Sequence, residues 1–405
     1  MTDQTPSPAS TPPTAGRRRG RRTIAAVAVL GLAAGAVAIG AWSRTADADP
    51  APSALENRLQ TLVDAGYPGV LASVTAPDGT RTDVTLGEGD ITTGDSPPMD
   101  GEIRIASNTK MFTATIVMQL VEEGTVSLDE PVDTYLPGLI TGDGIDGTVI
   151  TVRQLLQHTS GLPEYADQIA ADAFGAQETY ISPRDMLDVA LDRPAVFASG
   201  STWEYSNTNY LALGLLIERV TERALPHQVD ERIVEPLGLE HTYFPQPGET
   251  ELRGEHPQGY HADVPGELRP ITDMDTSFAW AAGAIVSTPS ELNTVMQAIL
   301  GSDLVSAESL AAMQDAVPAG NELAEGTAYG LGLESHPLSC GGIAWGHGGD
   351  IPGTQTRNAV GPDGTAVTIA VTSLPWAVVD PADDEKLTEQ YRIVIDALDE
   401  TLCEK

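Results

Sequence analysis

The sequence predicts an α/β protein of the α+β type: an antiparallel sheet built from both ends of the chain and flanked by helices, with a mainly helical region inserted between the two halves of the sheet. Three observations carry this reading. Near the front of the chain, Val70–Thr75 and Thr80–Leu86 are strand-like runs joined at Pro77-Asp78-Gly79, a hairpin turn. Near the end lie further strand-like runs, Ala328–Glu334, Ile343–Gly346, Arg357–Val360 and Ala366–Thr372, with Pro362-Asp363-Gly364 turning between the last two. Between these groups, loops rich in Pro and Gly alternate with segments of helical periodicity. The sheet region is therefore about 54–106 and 275–405, and the helical region about 107–274. No internal repeat is present.

Taken in order, residues 1–16 are rich in Ser, Thr, Pro and Ala and have no apolar periodicity, which is the pattern of a disordered head. Five arginines follow between Arg17 and Arg22, so residues 1–22 form a basic, disordered segment expected to stay in the cytoplasm. Residues 23–43 carry no charge and are mostly Ala, Val, Leu, Ile and Gly. That run is long enough to cross a hydrocarbon layer of ~30 Å and reads as an export signal or a membrane anchor. Ala46-Asp47-Ala48 offers a small-x-small cleavage site, and the arginine pairs allow a twin-arginine route. Residues 44–53 form a linker, and the folded part runs from 54 to 405. Helices are expected at Leu55–Val63, after Ser107, at Val152–His158, Pro183–Leu191, Asn209–Arg223 and Pro289–Leu300, and at Asp383–Thr401 as an amphipathic C-terminal helix.

Composition narrows the function. The 405-residue chain has a formal net charge of −36, and the first 48 residues hold six arginines and two aspartates, so the remainder carries about −40. Such a surface repels nucleic acid and anionic lipid; contact with a membrane is expected only through the N-terminal segment, and the acidity suits solubility in a salty medium. The two cysteines, Cys340 and Cys403, become candidates for a disulfide if the chain is exported. The histidines show no metal-ligand spacing, H-E-x-x-H is absent, and no G-x-S-x-G elbow supports an α/β-hydrolase, so no metal or other cofactor is expected.

The chemistry centres on Ile103–Gly124. A short apolar run approaches Ser107, where an N-cap or first-turn residue would sit, and a helical pattern then runs to Gly124. Ser107 and Lys110 share a helix face at i, i+3. A serine hydroxyl is a weak nucleophile until a neighbour takes its proton, and a desolvated lysine has the lowered pKa needed to do so. Two further clusters follow: Tyr205-Ser206-Asn207, and His347-Gly348-Gly349-Asp350 at a strand end, where glycines permit close backbone approach.

S-x-x-K, Y-x-N and H-x-G, in that order, resemble the penicillin-recognising serine hydrolases, and more narrowly the class C-type β-lactamases and secreted D-alanyl-D-alanine carboxypeptidases. Supporting stretches are VDTYLPG (Val132–Gly138), ITVRQLLQHTSGL (Ile150–Leu162), YSNTNY (Tyr205–Tyr210) and YGLGL (Tyr329–Leu333), and the similarity covers about Leu55 to Lys405. The resemblance implies a β-lactamase/DD-peptidase-like fold and an acyl-enzyme mechanism acting on peptidoglycan-type peptides. In it, Ser107 is the nucleophile, Lys110 keeps its hydroxyl reactive, and Tyr205 relays the proton with a pKa lowered by the lysine. Asn207 holds the substrate amide, His347 lines the site and biases the proton of Tyr205, and the backbone N–H groups of Ser107 and Asp350, next to Gly349, form the oxyanion hole. It also implies that His158 is a packed structural residue and that Cys340–Cys403 pins the C-terminal helix to the sheet. The expected partner is a small peptide or β-lactam-like substrate, and the expected protein is an extracytoplasmic monomer, secreted or anchored by residues 23–43.

Two positions depart from the pattern. The arginine that holds a substrate carboxylate in such carboxypeptidases falls on Glu334, and Asp350 replaces a hydroxyl residue. Two acids where a carboxylate should bind are repulsive, with Arg357 a candidate to compensate. The expectation drawn is a neutral or cationic leaving group. β-Lactamase, esterase and D-aminopeptidase activity, or slow binding of β-lactams or cell-wall fragments, stand as alternatives.

Overall fold

The computed structural model describes residues 52–169, 172–320 and 326–404; the head, the apolar segment and nearly all of the linker lie outside this range. Among the described residues, no helix is long and apolar enough to cross a membrane.

Both ends of the chain pair into one eight-stranded sheet. Its strands are β1 (Gly69–Thr75), β2 (Arg81–Gly87), β3 (Val317–Pro318), β4 (Ala328–Tyr329), β5 (Glu334–Pro337), β6 (Ile343–Ile351), β7 (Thr354–Val360) and β8 (Ala366–Val371). The spatial order is β2-β1-β8-β7-β6-β5-β4-β3, with every neighbouring pair antiparallel. The sequence reading joined β4 and β5 into one strand. The structure folds them into a hairpin instead, because Gly332 turns at φ +78 within Gly330–Leu333. It also extends β6 through His347 and Asp350, which puts the third motif on the strand itself rather than past its end.

Six helices frame the sheet and the site: α1 (Ala54–Asp64), α2 (Thr109–Glu122), α3 (Asn207–Thr221), α4 (Trp280–Gly283), α5 (Pro289–Leu300) and α6 (Asp384–Leu402). Ser53 and Glu56 close a capping box that starts α1. Strand alternation decides what each face buries. Val367, Ile369 and Val371 of β8 point toward α1 and α6, where they meet Leu59, Leu62, Val394 and Leu398. Ala366 and Ala370 point the other way, into a larger core that includes Phe112, Ile116, Leu211 and Leu213. The predicted helix at Asn209 begins two residues earlier, and the one at Val152 ends at Leu156 because His158 takes φ +58. Cys340 and Cys403 are joined at a Cα–Cα distance of 5.7 Å, tying the end of α6 to the β5–β6 turn.

Helix α5 is held to the sheet by a buried polar bolt as well as by apolar packing. The Asn293 amide donates to the Ser73 carbonyl (3.0 Å) and Thr75 Oγ1 (3.1 Å), and its oxygen accepts from Thr368 Oγ1 (2.7 Å). Replacing it with alanine orphans these partners in a dry interface. Asn293→Ala is expected to lower unfolding free energy by about 3 kcal/mol, read by urea denaturation; a loss under about 1 kcal/mol would show that the partners find other bonds.

Candidate active site

Ser107 is held on a strained turn. Ala106 sits at φ +47, a left-handed conformation unfavourable for a residue with a Cβ, and Ala106–Asn108 form one 3-10 turn before α2. Of the two places the sequence allowed, Ser107 takes the opening turn rather than the cap, which falls on Asn108. The turn is fixed from several sides. The buried Arg104 guanidinium donates to the carbonyls of Thr250, Thr272 and Met274, and the Asn108 amide donates to the Ile105 carbonyl and Thr356 Oγ1, both at 2.6 Å. Gly349 of β6 packs so closely that an added Cβ would lie 2.3 Å from the Ile105 carbonyl oxygen and 2.6 Å from Asn108 Nδ2. That contact brings the H-x-G strand against the nucleophile turn.

Lys110, in the first turn of α2, has no exposed surface. Its Nζ lies 3.0 Å from Ser107 Oγ, 2.7 Å from Asn207 Oδ1 and 2.8 Å from the Ala282 carbonyl of α4. The last two atoms can only accept, so they take two N–H bonds and leave the third position of the nitrogen directed at Ser107. In the neutral amine that position is a lone pair aimed at the serine proton. Burial lowers the lysine pKa to about 7 against the charges of Glu164 and Glu334, which raise it. A substantial neutral fraction therefore exists at neutral pH.

Asn207 and Tyr205 complete the cluster. Asn207 opens α3, and its otherwise unpaired N–H donates to Glu164 Oε2 at 2.7 Å, while its side-chain nitrogen donates to the same oxygen at 3.1 Å. Both ends of its amide are thereby oriented. The Tyr205 side chain lies beside Ser107, and its ring lies 4.8 Å from Lys110 Nζ. His158 is fully buried and stacked on Tyr205 with ring centroids 4.4 Å apart. Here the structure corrects an expectation: burial pushes the Tyr205 pKa well above its ordinary value instead of the lysine pulling it down. That direction favours the protonated phenol, and the Lys110 amine is the neighbour of Ser107 with a lowered pKa.

His347 differs from expectation as well. Its ring centroid is 6.3 Å from that of Tyr205, and its Nε2 is 2.9 Å from the Tyr329 hydroxyl, so its hydrogen bond goes to Tyr329 and not to Tyr205. Glu334 is buried; its carboxylate accepts from Gly348 N at 3.2 Å and approaches His336 Nε2 at 3.3 Å and His347 Nδ1 at 3.4 Å. Asp350 is paired with Arg357, Oδ1 to Nη1 at 2.8 Å, as the sequence allowed. Neither acid presents an unpaired carboxylate. The sequence reading missed Glu164, the Ala282 carbonyl and Tyr329 as partners. Tyr329 carried a signal in YGLGL, whereas the other two had none.

Fold and site together define a serine hydrolase built around a Ser-Lys-Tyr cluster. The Beta-lactamase family model matches residues 55–392, and the chain belongs to that family. Curated relatives match in part. Protein flp of Staphylococcus aureus (strain MW2) is 32% identical over 142 residues, 35% of this chain and 28% of that protein. A protein of Salmonella typhimurium (strain LT2) that carries the name Putative D-alanyl-D-alanine carboxypeptidase is 30% identical over 224 residues, 49% of this chain and 51% of that protein. The chain thus spans about half of the length of one of these relatives and less of the other. Among solved structures, a D-stereospecific amidohydrolase from Streptomyces sp. is 32% identical with a TM-score of 0.73, covering 84% of this chain and 98% of the other. The D-amino acid amidase of Ochrobactrum anthropi SV3, complexed with D-phenylalanine, is 26% identical with a TM-score of 0.72, covering 86% and 100%.

Two outcomes are expected. With an uncharged ester as substrate, kcat/KM should rise with pH through about 7, because Lys110 must lose its proton to act. Lys110→Arg, which cannot lose its charge, should remove that limb and cut the rate about 10²–10⁴-fold; a limb that survives in Lys110→Arg would assign the base elsewhere. Gly349→Ala should abolish ester hydrolysis by displacing the Ser107 turn, and near-normal turnover would show that the strand can shift without harm.

Proposed function

We propose that this protein is an exported serine hydrolase that cleaves amide or ester bonds of D-amino-acid-type substrates through an acyl-enzyme, with a leaving group that bears no carboxylate. Ser107 Oγ attacks the carbonyl carbon while Lys110 takes its proton. The hydroxyl of Tyr205 passes a proton to the leaving nitrogen or oxygen and is recharged from Lys110. Water then releases the acid by the same proton path in reverse. The N–H groups of Ser107 and Asp350 face the developing oxyanion, a contribution typically worth ~3–4 kcal/mol per donor.

The pairing of charges on the leaving-group side is the observation that carries this reading. Of the cations brought to the site, Lys110 is engaged by Ser107, Asn207 and Ala282, and Arg357 by Asp350 and the Thr356 carbonyl. Among the described residues, a terminal carboxylate would find no free cation there. On the acyl side, the half-buried Glu164 carboxylate beside Asn207 suits a free ammonium group. Similarity over nearly the full length of the Streptomyces amidohydrolase supports the same choice. A D-alanyl-D-alanine carboxypeptidase is the second reading, favoured by the Salmonella relative. A disulfide at Cys340–Cys403 accords with an oxidising compartment, and hence with export through residues 23–43.

D-Alaninamide should be hydrolysed at least tenfold faster, by kcat/KM, than acetyl-D-Ala-D-Ala, and Ser107→Ala should lose both activities. The fold preference corresponds to about 1.4 kcal/mol, less than one unpaired charge in a closed site. Faster release of D-alanine from the peptide would sink the carboxylate argument in favour of the second reading.

A further inference from the structure

Beside Lys110 and Tyr205 lies a largely buried group made of Glu334, His347 and Tyr329 with the half-buried His336. Glu334 is 4% and His347 1% exposed. The protonation pattern of this group follows from its partners. His347 Nδ1 lies 2.6 Å from the carbonyl oxygen of Gly348 and 3.4 Å from Glu334 Oε1. Neither of these can donate, so Nδ1 carries the hydrogen. In the neutral ring Nε2 must then accept, and Tyr329 donates to it at 2.9 Å. The lone pair of His347 is thereby consumed and is not available to move the proton of Tyr205.

We propose that Glu334 is a positioning residue for hydrolysis: it holds His347 as the Nδ1–H tautomer facing Tyr329, grips β6 through the Gly348 N–H two residues before the oxyanion donor at Asp350, and sets a fixed negative charge behind Lys110. The buried carboxylate accepts from Gly348 N at Oε2 and has His336 Nε2 and His347 Nδ1 within 3.4 Å, which makes Glu334 a strut and a charge rather than a substrate ligand. The charges acting on Lys110 are those of Glu334 and Glu164, with Tyr205, Tyr210, His158 and His347 as the other titratable neighbours. Around Glu334 they are His336, His347 and Arg357. Burial opposes ionisation of Glu334, but the nearby imidazoles of His347 and His336 and the charge of Arg357 outweigh it and hold the carboxyl at about 2, so its charge persists through the working range.

The test uses the full-length protein with ¹⁵N-labelled histidine and an uncharged ester, a substrate that does not depend on the leaving-group assignment above. Removing the charge while keeping the shape, Glu334→Gln, should move the acid limb of kcat/KM to lower pH, because Lys110 loses a neighbour that raises its pKa. It should also lower kcat about tenfold, the scale of one lost charge-assisted hydrogen bond, with KM changed less than about twofold. His347 should show Nδ1–H nitrogen shifts in the wild type and a mixture of tautomers in Glu334→Gln. Tyr329→Phe leaves the carboxylate in place and should retain the Nδ1–H form, which keeps the question answerable if Glu334→Gln does not fold. An unmoved limb in Glu334→Gln, or an Nε2–H majority in Tyr329→Phe, overturns the proposal and leaves Glu334 a packing residue only. The reading of the substrate is tested separately by the comparison of D-alaninamide with acetyl-D-Ala-D-Ala.

Discussion

The ammonium of Lys110 is buried where water cannot reach it, and the rest of the site answers to that constraint. A fully desolvated lysine either loses its proton or finds opposite charge. Here no carboxylate lies within ion-pair distance of it among the described residues. Two neutral acceptors, Asn207 Oδ1 and the Ala282 carbonyl, fix its direction, and two more distant acids, Glu164 and Glu334, limit how far its pKa falls. A direct ion pair would have stabilised the cation and removed the base. Complete isolation would have left a neutral amine unable to carry a proton between half-reactions. A pKa of about 7 lies between these limits, where a general base for neutral pH is most effective.

Three segments distant in sequence must meet at that amine, and close backbone approach is how they do so. An added Cβ at Gly349 would strike the Ile105 carbonyl, one at Gly332 would lie 2.3 Å from Ala114 Cβ of α2, and one at Gly214 of α3 would lie 2.5 Å from Ala281 Cβ of α4. Space accounts for glycine at 349 and 214, and space together with a positive φ at 332. With the polar attachment of Arg104 to three carbonyls, these close approaches allow the strained Ala106 conformation to persist, since the surroundings leave the turn no alternative.

The motif residues were legible because their side chains carry the chemistry: Ser107, Lys110, Tyr205 and Asn207 announce themselves by type and spacing, and the structure brings them within hydrogen-bond or ring contact. Strands and long helices were legible from periodicity, with Pro183–Leu191 and Pro289–Leu300 read to the residue because proline opens each one and leaves little choice of start. Other features depended on tertiary context. The Ala282 carbonyl is a backbone atom and has no sequence signature. The β4–β5 hairpin was hidden because Leu331 and Leu333 continue an apolar run that only Gly332's positive φ interrupts. The direction of the Tyr205 shift could not be read from its neighbour alone, because burial of the phenol is the dominant influence on it.

Register explains why the two acids that set this chain apart behave differently. Asp350 pairs with Gln355 across β6 and β7, so Arg357, two residues on, stands diagonally on the same face and reaches it. Glu334 pairs with Gly346 on the other neighbour of β6, and the diagonal position there is Gly348, whose N–H it accepts. One acid is thus neutralised near the mouth of the site, and the other is sealed beneath it with two histidines. Neither functions as a bare repulsive charge, and among the described residues no unpaired cation stands ready for a substrate carboxylate. What distinguishes this site is therefore a missing attraction. On the function proposed above, such a site disfavours acidic leaving groups without selecting positive ones, and selection by charge falls to the acyl side, where Glu164 stands beside Asn207.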